Sequence, residues 1–270
     1  NRDAFSGKVR LVFQPGEEIG KGAKPFVAAG VLEGAERVFG LHTAYDLEAG
    51  TVGLKPGINN AAVDHFRIRV HGRSTHVSTP HMGVDALYIA SQIVVAVQGL
   101  VTRRTSPTEP VIIGIGKLNA GTTYNAVAAF AEMEGTTRTI SQESRDRVRA
   151  QVSETAQSIA ALYGGTAEIE WTDFAAALVN DPQVCEEAAQ VVDELLGEGH
   201  VVTDRELSLS GDNFAEFELY KPGAYAYLGT GNPDFPHTMI TNHNGGFDVD
   251  ENALVTGAGL YVGYTVARLG

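Results

Sequence analysis

The 270-residue chain contains a single cysteine, Cys185, and this scarcity excludes two kinds of protein. A disulfide framework needs cysteines in pairs, and an all-cysteine metal site needs several in one chain. Cys185 lies in a segment with helical spacing, directly before two glutamates. An acidic neighbourhood disfavours the reactive thiolate. We therefore expect Cys185 to be a packing residue.

Basic residues are also scarce, because 20 Lys and Arg face 33 Asp and Glu and give a net charge of −13. A nucleic-acid surface would need clustered Lys and Arg. No apolar run approaches the ~18–20 residues that span a bilayer. No charged-then-apolar signal segment opens the chain, which starts at Asn1 instead of Met. We expect a cytoplasmic protein with neither a nucleic-acid nor a membrane partner.

Two apolar runs near the start of the chain predict strands, Val9–Phe13 and Val38–His42. Between them, Pro25–Leu32 has helical spacing. A strand, a short helix and a second strand within this length indicate a βαβ unit with parallel strands. Such sheets carry their chemistry at the carboxyl ends of the strands.

The spacing changes between residues 61 and 176 and predicts a separate, inserted domain. Apolar and polar residues alternate over Asp64–Val70, as in a half-exposed strand. The predicted elements that follow are a helix at 84–101, strands at 111–118 and 126–134, a helix at 141–163 and a strand at 167–171. This βαββαβ order closes as an antiparallel sheet with both helices on one face.

The rest of the chain predicts a return to the first domain, with a helix over Gln183–Leu196, short strands at Leu207–Leu209 and Ala224–Leu228, and a last helix from about Asp250. The expected fold class is therefore α/β. A domain formed by residues 1–60 and 177–270 is interrupted by the separate βαββαβ domain of residues 61–176.

Adjacent carboxylates stand at Glu17 and Glu18, directly after the first predicted strand. Two neighbouring carboxylates repel, and a bound cation or a transferred proton relieves that conflict. An isolated pair of this kind is more often a solvated acidic turn. His42 closes the next predicted strand, however, and a carboxylate and an imidazole at neighbouring strand ends suit zinc or manganese.

Histidines elsewhere offer further candidates. His76 lies in a loop of small residues, and His237 and His243 lie in a Gly-rich loop at 229–246. Long loops inside compact domains are often functional. One more metal ligand from this loop is expected, and composition does not choose between His237 and His243.

Several short motifs occur in one order along nearly the whole chain, and the ordered set is more specific than any member. They are Phe13-Gln14-Pro15-Gly16-Glu17-Glu18, Phe39-Gly40-Leu41-His42, Gly72 to His76, Asn119-Ala120-Gly121, Gly135-Thr136-Thr137-Arg138-Thr139, Gly211-Asp212-Asn213-Phe214-Ala215, and His243 with Phe247-Asp248. This set resembles the M20 metallopeptidase and amidohydrolase family. The most similar branch contains N-acyl-amino-acid amidohydrolases, hippurate hydrolases and auxin-conjugate hydrolases.

The resemblance implies a zinc-peptidase-like α/β catalytic domain, residues 1–60 and 177–270, interrupted by a ferredoxin-like lid, residues 61–176. It also implies a hydrolase that cleaves the amide bond of N-acyl amino acids or related conjugates with a metal-bridging water. Glu17 corresponds to the general base. Glu18, His42 and His243 correspond to ligands of a two-metal site that takes zinc, manganese or nickel. His76 corresponds to the residue that polarises the scissile carbonyl, which in this family often comes from the partner subunit. A homodimer formed through the inserted domain is therefore expected.

Asn125 and Arg138 resemble the pair that holds the substrate, and a guanidinium suits an amino-acid carboxylate. The sequence also departs from the family pattern, because Asp212-Asn213 stands where Glu-Asp is frequent. In addition, the branch completes its metal site with an upstream Cys-Gly-His-Asp segment, which this chain does not contain. We therefore expect a truncated catalytic domain that is inactive or impaired alone. The alternatives are an exopeptidase acting on dipeptides and a non-catalytic dimeric amino-acid or peptide-binding protein.

Overall fold

The computed structural model describes residues 6–270, which form a mixed α/β fold in two compact units. Unit 1 holds the described residues up to Asn59, together with Leu178–Ser208 and Asp212–Gly270. Unit 2 holds Asn60–Ala177 and Leu209–Gly211.

Six helices and ten strands lie within residues 6–270. The helices are α1 (Ala23–Ala28), α2 (Ala86–Gly99), α3 (Gln142–Leu162), α4 (Pro182–Leu196), α5 (Ala215–Glu218) and α6 (Asn252–Leu269). The strands are β1 (Val38–Glu48), β2 (Val52–Gly53), β3 (Gly57–Asn60), β4 (Ala62–His71), β5 (Ile112–Ala120), β6 (Phe130–Thr139), β7 (Thr166–Ala175), β8 (Leu178–Asn180), β9 (Val201–Val202) and β10 (Gly223–Gly231).

The main sheet of unit 1 has the strand order β1-β10-β2-β9. β1 and β10 run parallel, and His42 lies opposite Tyr227. β2 pairs antiparallel with β10 and parallel with β9. The apolar faces of α4 and α6 pack with this sheet, where Val52, Val191 and Leu260 are buried. Asp181 caps α4 by accepting hydrogen bonds from two backbone amides of its first turn, ahead of Pro182.

The predicted strand at Val9–Phe13 is wrong. These residues form neither helix nor strand, and the side chains of Leu11 and Phe13 are 74% and 84% exposed. An apolar run becomes a strand only where a neighbour completes its hydrogen bonds. Among the residues that the structure describes, β1 pairs with β10 alone. The parallel pair of unit 1 is therefore β1 with β10, and the predicted βαβ unit is absent from residues 6–270.

Unit 2 has an antiparallel four-stranded sheet in the order β5-β6-β4-β7. Its core joins the sheet to α2 and α3 and includes Phe66, Ile93, Met133 and Val152. The elements follow the chain as βαββαβ, which is the ferredoxin-like order. Gly135 permits the close approach of β6 to the Phe66 ring, because a Cβ at this position would collide with it.

The connection near residue 210 differs from the prediction. Ser208 makes one isolated bridge and donates its N–H to the Asn59 carbonyl at 2.9 Å, so Leu207–Leu209 is not a strand. The Ala61 N–H donates to the Ser210 carbonyl at 3.1 Å. Residues 209–211 therefore belong to unit 2, although the sequence placed them in the other domain.

One helical stretch, Ala86–Arg104, is long and apolar enough to cross a membrane by length and composition. The sequence has no unbroken apolar run of this length, because polar residues interrupt this stretch, and so no such segment is expected from it. In unit 2 the stretch places Ile89, Ile93 and Val97 in the core against the sheet. These contacts are those of a core helix in a protein domain.

The Glu218 carboxyl should make the free energy of unfolding of unit 1 depend on pH. Its carboxylate accepts the Val179 N–H at 3.0 Å, and burial raises the pKa of this carboxyl from 4.5 to about 7. The protonated form stabilises the fold below the unfolded-state pKa, and that contribution is lost as the pH rises from 4.5 through about 7. Because Gln does not ionise, Glu218→Gln should reduce this fall in the free energy of unfolding by up to about 3 kcal/mol. Urea unfolding at about pH 5 and about pH 8 tests this, and an equal pH dependence in both proteins would contradict it.

Candidate active site

Glu17 and Glu18 lie in a short 3₁₀ turn, Glu17–Ile19, between two glycines. Gly16 and Gly20 have φ of 73° and 66°, a left-handed conformation that glycine adopts without steric cost. The Gly20 N–H donates to the Glu17 carbonyl at 2.8 Å, and the Lys21 N–H to the Gly16 carbonyl at 3.1 Å. Glycine at both ends thus closes a tight turn that presents the two carboxylates.

Glu17 is half-buried, and its pKa is raised above the ordinary value. Burial is the main cause, and the negative charges of Asp212 and Glu18 add to it. The Asn213 N–H, which donates to Oε1 at 3.4 Å, and the nearby His42 act in the opposite direction. A carboxylate whose pKa is shifted towards neutrality is suited to accept and return a proton.

His42 lies in the middle of β1 and not at its end, because β1 continues through its pairing with β10 to Glu48. Nδ1 of His42 lies 2.7 Å from the Thr43 carbonyl oxygen. A carbonyl only accepts, so Nδ1 carries a proton and Nε2 of the neutral ring is left with a free lone pair. Histidines that bind metals are commonly oriented by such a bond.

His243 is placed beside Glu18, with 3.7 Å between its Nε2 and Oε2 of the carboxylate. Both side chains are largely exposed. His243 has a φ of 62°, which is uncommon for a residue other than glycine, and such backbone outliers cluster at functional sites. His237 lies instead 3.7 Å from Asp248.

The donor chemistry of Glu18, His42 and His243 fits a divalent metal, since carboxylate and imidazole ligands suit zinc, manganese and nickel. Of the three, Glu18 and His243 are in contact, at 3.7 Å. Within residues 6–270, no three His, Cys, Asp or Glu side chains come close enough together to hold a metal ion.

His76 lies in unit 2, where it bridges to Ala126. The Ser78 N–H donates to Nδ1 of His76 at 3.2 Å, and the Ser78 hydroxyl lies 2.7 Å from the same atom. Since Nδ1 accepts a hydrogen bond, Nε2 carries the proton of the neutral ring. The exposed imidazole can therefore donate a hydrogen bond to a carbonyl oxygen.

The other candidate residues of unit 2 are Asn125 and Arg138. The Asn125 carbonyl accepts the Val77 N–H at 3.0 Å, and its side chain accepts from the Thr123 hydroxyl at 3.1 Å. Arg138 lies on β6, and burial lowers its pKa. No ion pair joins Arg138 to another residue between 6 and 270. A half-buried guanidinium without an internal carboxylate is suited to bind an external one.

Asp212 and Tyr225 are parts of the Glu17 environment that the sequence did not identify. The Tyr225 hydroxyl donates to the Asp212 carboxylate, which also accepts the Phe214 N–H at 2.7 Å. Burial raises the pKa of Tyr225 well above its usual range, with a further contribution from Asp212. The Gly211-Asp212-Asn213 motif marked the region, but Tyr225 has no local signal because it belongs to an otherwise ordinary buried strand.

The profile of Peptidase family M20/M25/M40 matches residues 1–266. The chain belongs to this family. An N-acetyl-L-cysteine deacetylase of Bacillus subtilis is 36% identical over 94% of the chain and 59% of its own length. Thermostable carboxypeptidase 1 of Saccharolobus solfataricus is 35% identical over 96% of the chain and 65% of its own length. The chain thus spans about three fifths of these M20 relatives.

Solved M20-type structures confirm the mixed α/β fold. A putative aminohydrolase of methicillin-resistant Staphylococcus aureus superposes with a TM-score of 0.91 at 29% identity, covering 99% of this chain and 68% of that one. A dinuclear metal-binding peptidase of the M20 family from Bacillus subtilis gives 0.81 at 32% identity, over 99% and 67%. The resemblance to the M20 family stated from the motifs is therefore confirmed.

Proposed function

We propose that the protein containing this chain is a metal-dependent hydrolase of the amide bond in N-acyl amino acids or related conjugates. The observation that carries the proposal is the half-buried Glu17, whose pKa is raised within the same turn that places Glu18 beside His243. The names of the relatives, an N-acetyl-L-cysteine deacetylase and an IAA-amino acid hydrolase-like protein of Arabidopsis thaliana, support amide hydrolysis.

In the proposed reaction, Glu17 accepts a proton from water as the water oxygen bonds to the acyl carbon. The same carboxyl then gives this proton to the amide nitrogen as the carbon–nitrogen bond breaks, which releases a carboxylic acid and an amino acid. When bound, two divalent metals held in part by Glu18, His42 and His243 would supply Lewis-acid activation.

Unit 2 supplies the remaining proposed roles. Nε2–H of His76 donates to the carbonyl oxygen, where negative charge develops, and it serves a site of the partner subunit as the family pattern implies. Arg138 pairs with the amino-acid carboxylate, and Asn125 holds the substrate beside it. We propose that this unit is a lid and dimerisation domain.

The surface of unit 2 supports a homodimer. β5 is an edge strand, and Ile112 and Leu118 on it are 40% and 42% exposed. On α2, Leu87 and Val95 are 48% and 69% exposed. An apolar edge strand is a template for a second strand, and pairing with a second copy would cover it. Sedimentation equilibrium should give twice the 28.6 kDa of the chain, and a monomer at micromolar concentration would contradict this.

A substrate panel tests the proposed function. The longest product of the gene that contains this chain should release amino acids from N-acetyl and N-benzoyl amino acids faster than from dipeptides. The reverse preference would favour the exopeptidase, an activity that the carboxypeptidase relative suggests. The 270-residue chain alone should be inactive or impaired, and metal-dependent turnover equal to that of a longer product would contradict that expectation.

A further inference from the structure

Two hydrogen bonds join the Glu17 turn to a distant part of unit 1. Nε2 of Gln14 donates to Oδ1 of Asn213 at 2.6 Å, across 199 positions of sequence. The Asn213 N–H donates to Oε1 of Glu17 at 3.4 Å. Asn213 therefore contacts the segment that carries Glu17 at two points, once through its side chain and once through its backbone.

Asn213 is buried, and the hydrogen bonds of its neighbour Asp212 fix its backbone. Asn213 is 1% exposed and its neighbour Asp212 is 8% exposed. Asp212 fixes the turn by accepting the Phe214 N–H and the hydroxyl of Tyr225, a buried residue of the central strand β10. The contact thus connects the Glu17 turn to the sheet of unit 1.

Few other contacts hold the segment that contains Gln14. Residues 9–13, directly before it, form no strand, and Phe13 is largely exposed. Gly22 packs closely on the carbonyl of Pro15, because a Cβ there would collide with that oxygen. A segment without sheet hydrogen bonds depends on such individual contacts to keep one conformation.

We propose that Gln14 and Asn213 are positioning residues that hold the Glu17 carboxylate in its working orientation. Neither needs to touch the substrate. Their amide–amide hydrogen bond fixes the segment ahead of the turn, and the Asn213 N–H fixes the carboxylate itself. The catalytic part of this inference rests on the proposed function, whereas the positioning part concerns unit 1 alone.

Native-state hydrogen exchange on the 270-residue chain tests the positioning without requiring activity. In Gln14→Ala and Asn213→Ala, the amides of Gly20 and Lys21 should exchange about tenfold faster than in the wild type. The matched control is Gln183→Ala, which removes a 3.0 Å bond between Gln183 and Glu187 on α4. Exchange at Gly20 and Lys21 that is unchanged in Gln14→Ala would overturn the inference, even if Asn213→Ala fails to fold.

Kinetics on the longest gene product provide the second measurement. Gln14→Ala should lower kcat about tenfold or more with KM nearly unchanged, because misplacing a reacting group slows chemistry more than binding. The exchanged pair, Gln14→Asn with Asn213→Gln, should recover part of the loss. A change in KM alone would overturn the inference. Absence of hydrolysis by the wild type would instead defeat the proposed function, while the exchange result still decides the positioning.

Discussion

Replacing Glu17 with Gln is expected to lower kcat for amide hydrolysis by about 10²–10⁴-fold, the usual contribution of a general acid–base group. Gln has nearly the same shape, and its side-chain oxygen can still accept the Asn213 N–H. It cannot take a proton from water at neutral pH. The initial rate of amino-acid release from an N-acetyl amino acid measures the effect.

The matched control for this change is Glu194→Gln, which neutralises an exposed glutamate on α4 and should leave kcat unchanged. Binding of the substrate should persist in Glu17→Gln, because the proposed role of Glu17 concerns the proton and not the affinity. A protein that only binds amino acids or peptides would respond to neither substitution. Equal kcat in Glu17→Gln and the wild type would therefore exclude Glu17 as the base.

Breaking the ion pair between Asp64 and Arg145 is expected to lower the free energy of unfolding by about 3–5 kcal/mol. Arg145 on α3 donates from Nε to Oδ2 of Asp64 at 2.9 Å and from Nη2 to Oδ1 at 2.5 Å. The side chains of Arg145 and Asp64 are 5% and 1% exposed. Arg145→Met would leave the carboxylate of Asp64 buried beside one fewer cation, and burial of a poorly compensated charge is costly.

The control for this prediction is an exposed ion pair of unit 2. Lys117 and Glu134 lie 2.7 Å apart, with Lys117 57% exposed, and Lys117→Met should cost less than about 1 kcal/mol. The double variant Asp64→Leu, Arg145→Met should recover much of the stability lost by Arg145→Met, since no buried charge is left behind. Urea unfolding measures all three. A loss in Arg145→Met no larger than in Lys117→Met would contradict the account.

The ferredoxin-like order of unit 2 could be predicted because its signals are local. Alternation in β4 and the 3.6-residue period of α2 and α3 do not depend on distant residues. The prediction failed at β6, which runs from Phe130 to Thr139 and not from residue 126 to 134. Val127 is apolar and buried, but it lies in a loop where its N–H donates to Thr75. The predicted strand therefore included Val127 because this residue is apolar and buried, although it lies in a loop.

Unit 1 was harder to predict because its pairings join distant residues. Val38 of β1 lies opposite Gly223 of β10, and no local pattern encodes that partnership. The sequence placed His42 at the end of a strand for the same reason. The apolar run at Val9–Phe13 has the composition of a strand, yet composition does not provide the neighbour that a strand requires.

The candidate site likewise contains residues that local sequence identifies and contacts that only the fold creates. Glu17 and Glu18 are adjacent in sequence and could be singled out from it, whereas the contact of Asn213 with Gln14 joins positions 199 apart. The composition of the loop did not distinguish His237 from His243 as the further metal ligand. The structure places His243 beside Glu18. Physical reasoning from sequence thus finds residue types suited to the chemistry, and only the fold shows which of them meet.

The most direct test of the proposed function is the metal dependence of N-acyl amino acid hydrolysis by the longest product of the gene. Release of free amino acid from an N-acetyl substrate should stop after exhaustive chelation and return when zinc, manganese or nickel is added. In Glu17→Gln, metal addition should restore binding of the metal but not turnover. Hydrolysis that survives chelation, or a metal-replete wild type that releases no amino acid from any N-acyl substrate, would contradict the account.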